Sequence, residues 1–251
     1  MSDILIKTDI YKDEISRLRP FEGDILRQLR DYYRIGLTWS SNALEGNSLT
    51  EMETKVLIED GLTIGGKPLR DTLEAVGHSL AYDYMFSLLG NRKITVEDIK
   101  LLHHLFFKSI DEKSAGVWRE VPVIITGTDY VFPASSELDK LMTDLGRWIE
   151  EERDAMHPVR FAAMLHLKFV TIHPYIDGNG RVARLLMNTA LIQDGYMLAV
   201  IPPVLRMDYM SYIRHYQQKG YAESFCDLIA ERVVESQKDI MRLLHVPIPK
   251  I

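Results

Sequence analysis

His173-Pro174-Tyr175-Ile176-Asp177-Gly178-Asn179-Gly180-Arg181-Val182-Ala183-Arg184 is the stretch on which the reading of this chain turns. Two nearly all-apolar segments flank it. His157-Pro158 opens a helix that runs to Ile172, and Arg181 to Asp194 forms another. Helices that apolar are central ones, surrounded by others. The stretch is therefore a tight loop feeding a helix N-terminus inside a helical core. Gly178 and Gly180 let backbone N–H groups approach a ligand with no side chain in the way. The unpaired N–H groups of the next helix's first turn, with its dipole, favour an anion there. Arg181 and Arg184 are three apart and share a face, and cations in a first turn oppose the dipole unless an anion compensates. These parts describe a polyphosphate site. Asp177 is a hard oxygen ligand beside it, suited to one Mg²⁺ bridging phosphates. His173 is placed to take a proton from an attacking hydroxyl. Neither a P-loop nor a dinucleotide fold fits: no GxxxxGK[ST] is present, and the preceding segment is helical rather than a strand.

Outward from the loop, helical periodicity dominates. Ile25, Leu26, Leu29, Tyr32, Tyr33 and Leu37 define a helix over about 22–46, ending at Glu45-Gly46. Thr50 with Glu53 reads as a capping box opening a short helix that Gly61 stops. Leu69, Leu73, Val76, Leu80 and Tyr84 form one stripe, and Thr95 caps a helix to about Ile110. Leu138, Leu141, Met142, Leu145, Trp148 and Ile149 make the clearest amphipathic stripe, and two helices follow at about 207–218 and 222–244. One segment departs from this pattern. Val121–Thr126 and Asp129–Phe132 are β-prone runs around Gly127-Thr128, which predict an isolated β-hairpin acting as a flap. No repeat or interior linker appears. The expectation is an all-α fold with one β-hairpin, in a single domain spanning 1–251 with a short tail at 245–251.

A net charge of −6 supplies no global basic field for nucleic acid or an anionic membrane. Cys226 is the only cysteine, so no intrachain disulfide forms and a reducing compartment is expected. The N-terminal residues lack the apolar core of a signal peptide, and no apolar run reaches the ~18 residues of a membrane span. A cytoplasmic protein is expected.

The stretch 173–184 resembles the Fic (Fido) signature HxFx[DE]GNGRxxR, departing only in Tyr175 where phenylalanine is usual. The resemblance extends from about Leu37 to about Val234, with a Fic core at about 68–235, and includes the hairpin and Leu185-Leu186-Met187-Asn188. It implies an enzyme, a protein adenylyltransferase moving AMP from ATP to a Ser, Thr or Tyr hydroxyl of a target protein. By the same resemblance His173 is the general base and Asp177 the Mg²⁺ ligand. Gly178, Asn179 and Gly180 hold the α- and β-phosphates, and Arg181 and Arg184 the β- and γ-phosphates. Ile125, Thr126, Gly127 and Thr128 of the flap neighbour nucleotide and target, while Tyr209 and Gln217 fall at the nucleoside. Ser41-Asn42-Ala43-Leu44-Glu45-Gly46-Asn47 is similar to the inhibitory motif [ST]xxxE[GN] of many Fic proteins. A carboxylate at Glu45 aimed at Arg184 would take the arginine meant for the γ-phosphate, with Ser41 orienting it from one turn earlier. In some relatives that glutamate supports the reverse reaction, and the sequence leaves AMP removal open here.

Two other readings compete. Doc-like phosphotransferases carry lysine where this chain has Gly180, and Gly180 leaves that phosphate site open. A non-catalytic nucleotide-binding module is disfavoured because general base and metal ligand are both present. His103, His104, His157 and His166 are not spaced as a metal cluster and read as structural or surface residues. The target protein is not legible, and a homodimer is left open.

Overall fold

The computed structural model describes residues 3–18, 23–126 and 128–249, without the side chains of residues 23–26. Ten α-helices occur among the described residues: α1 Asp3–Ser16, α2 Gly23–Ala43, α3 Glu51–Glu59, α4 Leu69–Ser87, α5 Val96–Phe107, α6 Leu138–Glu152, α7 Pro158–Ile172, α8 Asn179–Gln193, α9 Arg206–Lys219 and α10 Glu223–Leu243. The helices begin where local chemistry says they should. Thr50 and Thr95 each close a capping box, with Glu53 and Asp98 respectively, and Pro158 sits at the start of α7, where its missing N–H is no loss. Ile25 and Leu26, assigned to the apolar stripe of α2, lie outside the described side chains.

Among the described residues, α7 and α8 form the most extensively packed pair. Every residue of α8 from Arg181 to Leu191 is buried. α4 and α5 cover one side of this pair, α6 and α10 another, and α1 lies along α10. A single buried cluster runs from Leu5 in α1 through Phe106, Phe161 and Leu185 to Met241 in α10. α1 was not expected. It buries Leu5, Thr8, Tyr11 and Ile15, and the hydroxyl of Thr8 is satisfied by donating to the Leu5 carbonyl.

Two expectations need correction. Among the described residues, the chain from Val121 to Phe132 forms no strand, so the β-hairpin is absent; Gly127 lies outside them. The physical reason is lack of support. Ile124 and Val131 are 97% and 86% exposed, so these two β-prone residues gain no packing support, and a lone two-stranded ribbon is marginal in water. The second correction concerns α4. Leu69 and Leu80, on its apolar stripe, are exposed, while Asp71, Glu74 and His78 are buried. The inward face of α4 is polar in its first half, at Asp71, Glu74 and His78, and apolar beyond, at Ala81, Tyr82 and Met85.

Candidate active site

The loop 173–178 is shaped by its own side chains. His173 caps α7 in the left-handed conformation (φ 53°, ψ 59°) while its N–H donates to Phe169 O at 3.0 Å. Asn179, buried, holds the backbone of Tyr175 from both sides. Its Oδ1 accepts the Tyr175 N–H at 3.0 Å and its Nδ2 donates to the Tyr175 carbonyl at 2.8 Å. Tyr175 is itself buried, and its hydroxyl donates to Ile99 O at 3.2 Å. The ring of His103 stacks on Tyr175 at 3.5 Å between centroids. His103 Nδ1 accepts the Gly116 N–H at 2.8 Å, so Nε2 carries the proton and donates to Asp177 O at 3.0 Å. Burial, partly opposed by the hydrogen bond to the Asp177 carbonyl, lowers the His103 pKa to about 4. This histidine fixes the backbone one residue before Gly178, where the chain takes a left-handed turn (φ 81°) into α8.

The first intrahelical bond of α8 is Val182 N–H to Gly178 O. The N–H groups of Asn179, Gly180 and Arg181 precede it and have no helical acceptor. Beside them Gly180 presents a bare face: a Cβ there would stand 2.2 Å from Glu45 Oε1. The protein's own carboxylate lies against that face.

Arg184, on the next turn of α8, is 2% exposed and engaged at every nitrogen. Nη2 donates to Glu45 Oε1 and to the Ser41 carbonyl, both at 2.8 Å. Nε donates to Ser41 Oγ and Nη1 to the Tyr209 hydroxyl, both at 2.9 Å. Burial raises the Glu45 carboxyl, but Arg184 and Arg181 outweigh it and leave its pKa below the ordinary value. Ser41 thus serves the arginine rather than the glutamate, which differs from the expected orienting role. Tyr209 is fully buried behind Arg184, with its oxygen 2.8 Å from His166 Nε2; it does not line an open nucleoside face. Gln217 is half-buried on α9.

Arg181 faces a different acceptor set, so the two arginines do not converge on one group. Its Nη1 lies 3.0 Å from Glu74 and its Nη2 2.9 Å from Asp177. Asp177 also accepts the Gly178 N–H at 2.6 Å and pairs with Arg70 of α4. Glu74 in turn accepts from Asn47 Nδ2 at 3.0 Å, and Asp71 accepts both the N–H and the hydroxyl of Ser48. The turn that carries Glu45 is thereby fastened to α4. Sequence reasoning missed Arg70, Asp71 and Glu74, although polar residues at 71, 74 and 78 share a helical face and could have flagged it.

His173 Nδ1 lies 3.3 Å from Val170 O. A carbonyl can only accept, so Nδ1 bears the proton and Nε2 keeps its lone pair. Burial is the main cause that lowers its pKa to about 4, and the hydrogen bond to Val170 opposes it. The imidazole is neutral at pH 7 and able to accept a proton. Phe132 covers it at 4.6 Å between rings. Ile125 and Thr126 are exposed on the segment beyond, with Thr128 half-buried and Gly127 outside the described residues.

Among the described residues, no group of three or more His, Cys, Asp or Glu side chains could hold a metal ion. No helix among them is long and apolar enough to cross a membrane.

Residues 93–191 match the Fic/DOC family. A protein adenylyltransferase Fic of Drosophila grimshawi is 32% identical over 229 residues, covering 90% of this chain and 47% of the relative. That of Drosophila melanogaster is 32% identical over 225 residues, covering 89% and 45%. This chain spans about half the length of the curated relatives it matches. Among solved structures, a Fic domain containing signaling protein from Bacteroides thetaiotaomicron superimposes with a TM-score of 0.86 at 25% identity, over 97% of this chain and 100% of that one. Fic-1 of C. elegans gives the same TM-score at 24% identity, over 96% of this chain and 72% of that one.

Proposed function

We propose, on the premise that this chain belongs to the Fic/DOC family through the domain at residues 93–191, that it is a protein adenylyltransferase held in check by Glu45. The observation that carries the reading is the position of that carboxylate. Glu45 Oε1 rests against the bare face of Gly180 and on Arg184. The cradle at the start of α8 therefore accommodates an anionic oxygen, and it does so where a phosphate would meet both an arginine and free N–H groups. The relatives' description as protein adenylyltransferases supports the same chemistry.

In this reading ATP enters its productive pose only when Glu45 gives up Arg184. Gly178, Asn179 and Gly180 take the α- and β-phosphates, the Gly178 N–H leaving Asp177 Oδ1 to do so, and Arg181 and Arg184 turn from their carboxylates to the β- and γ-phosphates. Asp177, a hard carboxylate now paired with Arg70 and Arg181, is the residue that would hold a Mg²⁺. Bound there, the ion would supply positive charge that offsets the charge of the phosphates and of the leaving pyrophosphate. The target hydroxyl attacks the α-phosphorus, its proton passes to His173 Nε2, and the bond to pyrophosphate breaks. The segment from Ile125 to Thr128 flanks nucleotide and target, Gln217 is placed toward the nucleoside, and Tyr209 acts through Arg184.

The test is mass spectrometry of the protein and of a lysate incubated with Mg²⁺ and ATP. AMP transfer adds about 329 Da and phosphotransfer about 80 Da. A +329 Da adduct that disappears in His173→Ala is expected. An +80 Da adduct would favour the Doc-like reading, and no adduct from either wild type or Glu45→Gly would remove the enzyme reading.

A further inference from the structure

Four arginines are buried among the described residues: Arg119, Arg153, Arg181 and Arg184. Arg153 pairs with Asp194, Arg181 with Glu74 and Asp177, and Arg184 with Glu45. Arg119 is 4% exposed and has no carboxylate. Its guanidinium goes instead to three backbone carbonyls. Nη1 donates to Val121 O at 3.0 Å, Nη2 to Pro133 O at 2.7 Å, and Nε to His173 O at 2.9 Å. Its own N–H donates to Pro174 O at 2.8 Å.

A buried cation without a counter-charge is expensive, and burial does draw the Arg119 pKa below its ordinary value. Carbonyl dipoles offset that only if several converge, and the three that do come from separate places in the chain. Val121 and Pro133 are the two ends of the exposed segment over the site. His173 is the residue whose ring the site needs as a base. The contacts close a circuit. Pro133, held by Arg119, follows Phe132; the Phe132 ring lies on His173; and the His173 carbonyl returns to Arg119.

We propose that Arg119 is a positioning residue that registers the 121–133 segment against His173, so that a polypeptide lying along that segment presents its hydroxyl to the imidazole. Among its described residues no strand pairing holds the segment, and Arg119 fastens it at both ends. A planar fork with five donors reaches three carbonyls at once; an ammonium has one point charge on a flexible stem and does not. The activity part of this proposal rests on the adenylyltransferase reading, whereas the clamp itself does not.

The experiment compares Arg119→Lys and Arg119→Ala, each in the Glu45→Gly background, by three measurements. Chymotryptic cleavage after Tyr130, within the clamped segment, should quicken by about tenfold or more, with α7 and α8 uncut. Auto-adenylylation should fall by about tenfold or more. ATP affinity by titration calorimetry should stay within about twofold, because nothing in the clamp touches the phosphate cradle. Lysine should keep the fold and still fail to restore transfer. If alanine does not fold, the lysine variant decides alone. Cleavage after Tyr130 at the parent rate in Arg119→Lys overturns the clamp. Loss of ATP affinity in step with transfer, with cleavage raised throughout the protein, overturns the positioning role in favour of a merely structural one. If the parent Glu45→Gly protein transfers nothing, the transferase reading fails and the cleavage measurement still judges the clamp.

Discussion

Replacing Glu45 by glycine removes one of the four hydrogen bonds that Arg184 makes and leaves the other three, to Ser41 Oγ, Ser41 O and Tyr209. The lost one is charge-assisted, of a kind worth about 1.5–3 kcal/mol. Glu45 retains 25% side-chain exposure, so water reaches the freed Arg184 and the larger penalty of a stranded buried charge does not apply. In the wild type that pair must break before Arg184 can hold a phosphate productively, and its free energy adds to the barrier. At 1.36 kcal/mol per decade, Glu45→Gly should transfer AMP about 10- to 150-fold faster. The gain should appear in turnover at saturating Mg²⁺ and ATP more than in ATP affinity, because the glutamate misplaces the terminal phosphate rather than closing the site. Folding stability should move the other way. At about 2–4 °C per kcal/mol for a chain of this size, the nucleotide-free Tm should drop by roughly 3–12 °C. Initial rates of auto-modification and thermal scans of the same preparations give both quantities. Adding Arg184→Ala should cancel most of the rate gain. A Glu45→Gly protein that melts as described and is no faster than wild type would refute the inhibitory role and leave the ion pair as a structural tie.

Asp177→Ala should reduce transfer to the His173→Ala background and abolish its dependence on Mg²⁺ concentration; a variant still titrating with Mg²⁺ as wild type does would place the metal elsewhere. Gly180→Ala puts a methyl where Glu45 Oε1 now lies. It should therefore weaken the Glu45–Arg184 pair, yet cut transfer at least about tenfold when added to Glu45→Gly, because the methyl fills the space of the β-phosphate. Gly180→Lys should suppress transfer further, and full activity in either double variant would contradict the phosphate cradle. His78, with a pKa lowered to about 3, and His103, lowered to about 4, are both depressed chiefly by burial. The unfolded chain therefore binds protons first as pH falls below about 6.5, and each histidine withdraws about 2 kcal/mol of stability by pH 5. Urea midpoints should fall steeply across that window, before ordinary carboxylates titrate. Equal midpoints at pH 7 and 5 would show that these residues are not buried neutral.

The parts of the site that could be read from sequence are those whose partners are near in sequence. His173 to Arg184 is one loop and one helix turn, so its glycines, acid and arginines announce themselves together. The capping box at Thr50 is fixed by a three-residue spacing and appears where expected, and Thr95 caps its helix as read, closing a box with Asp98 as well. Arg119 meets His173 and Pro133, 54 and 14 residues away, and no local pattern marks such a residue. α4 misled for a related reason. Its stripe of Leu69 and Leu80 is legible, but the first half of the helix turns Glu74 inward to meet Arg181 and Asn47, partners on distant parts of the chain. α1 escaped because one of its four buried positions is Thr8 and charged residues separate the rest.

The backbone of His173 lies in a region where an L-residue with a side chain is strained by about 1–2 kcal/mol, whereas glycine is at ease there. Durability and activity are therefore opposed at one position. His173→Gly should tolerate heat at least as well as the wild type while transferring nothing, so a campaign that sorted libraries by heat resistance alone would enrich inert proteins. The imidazole persists at that strained corner only if selection acts through what the protein does to its targets.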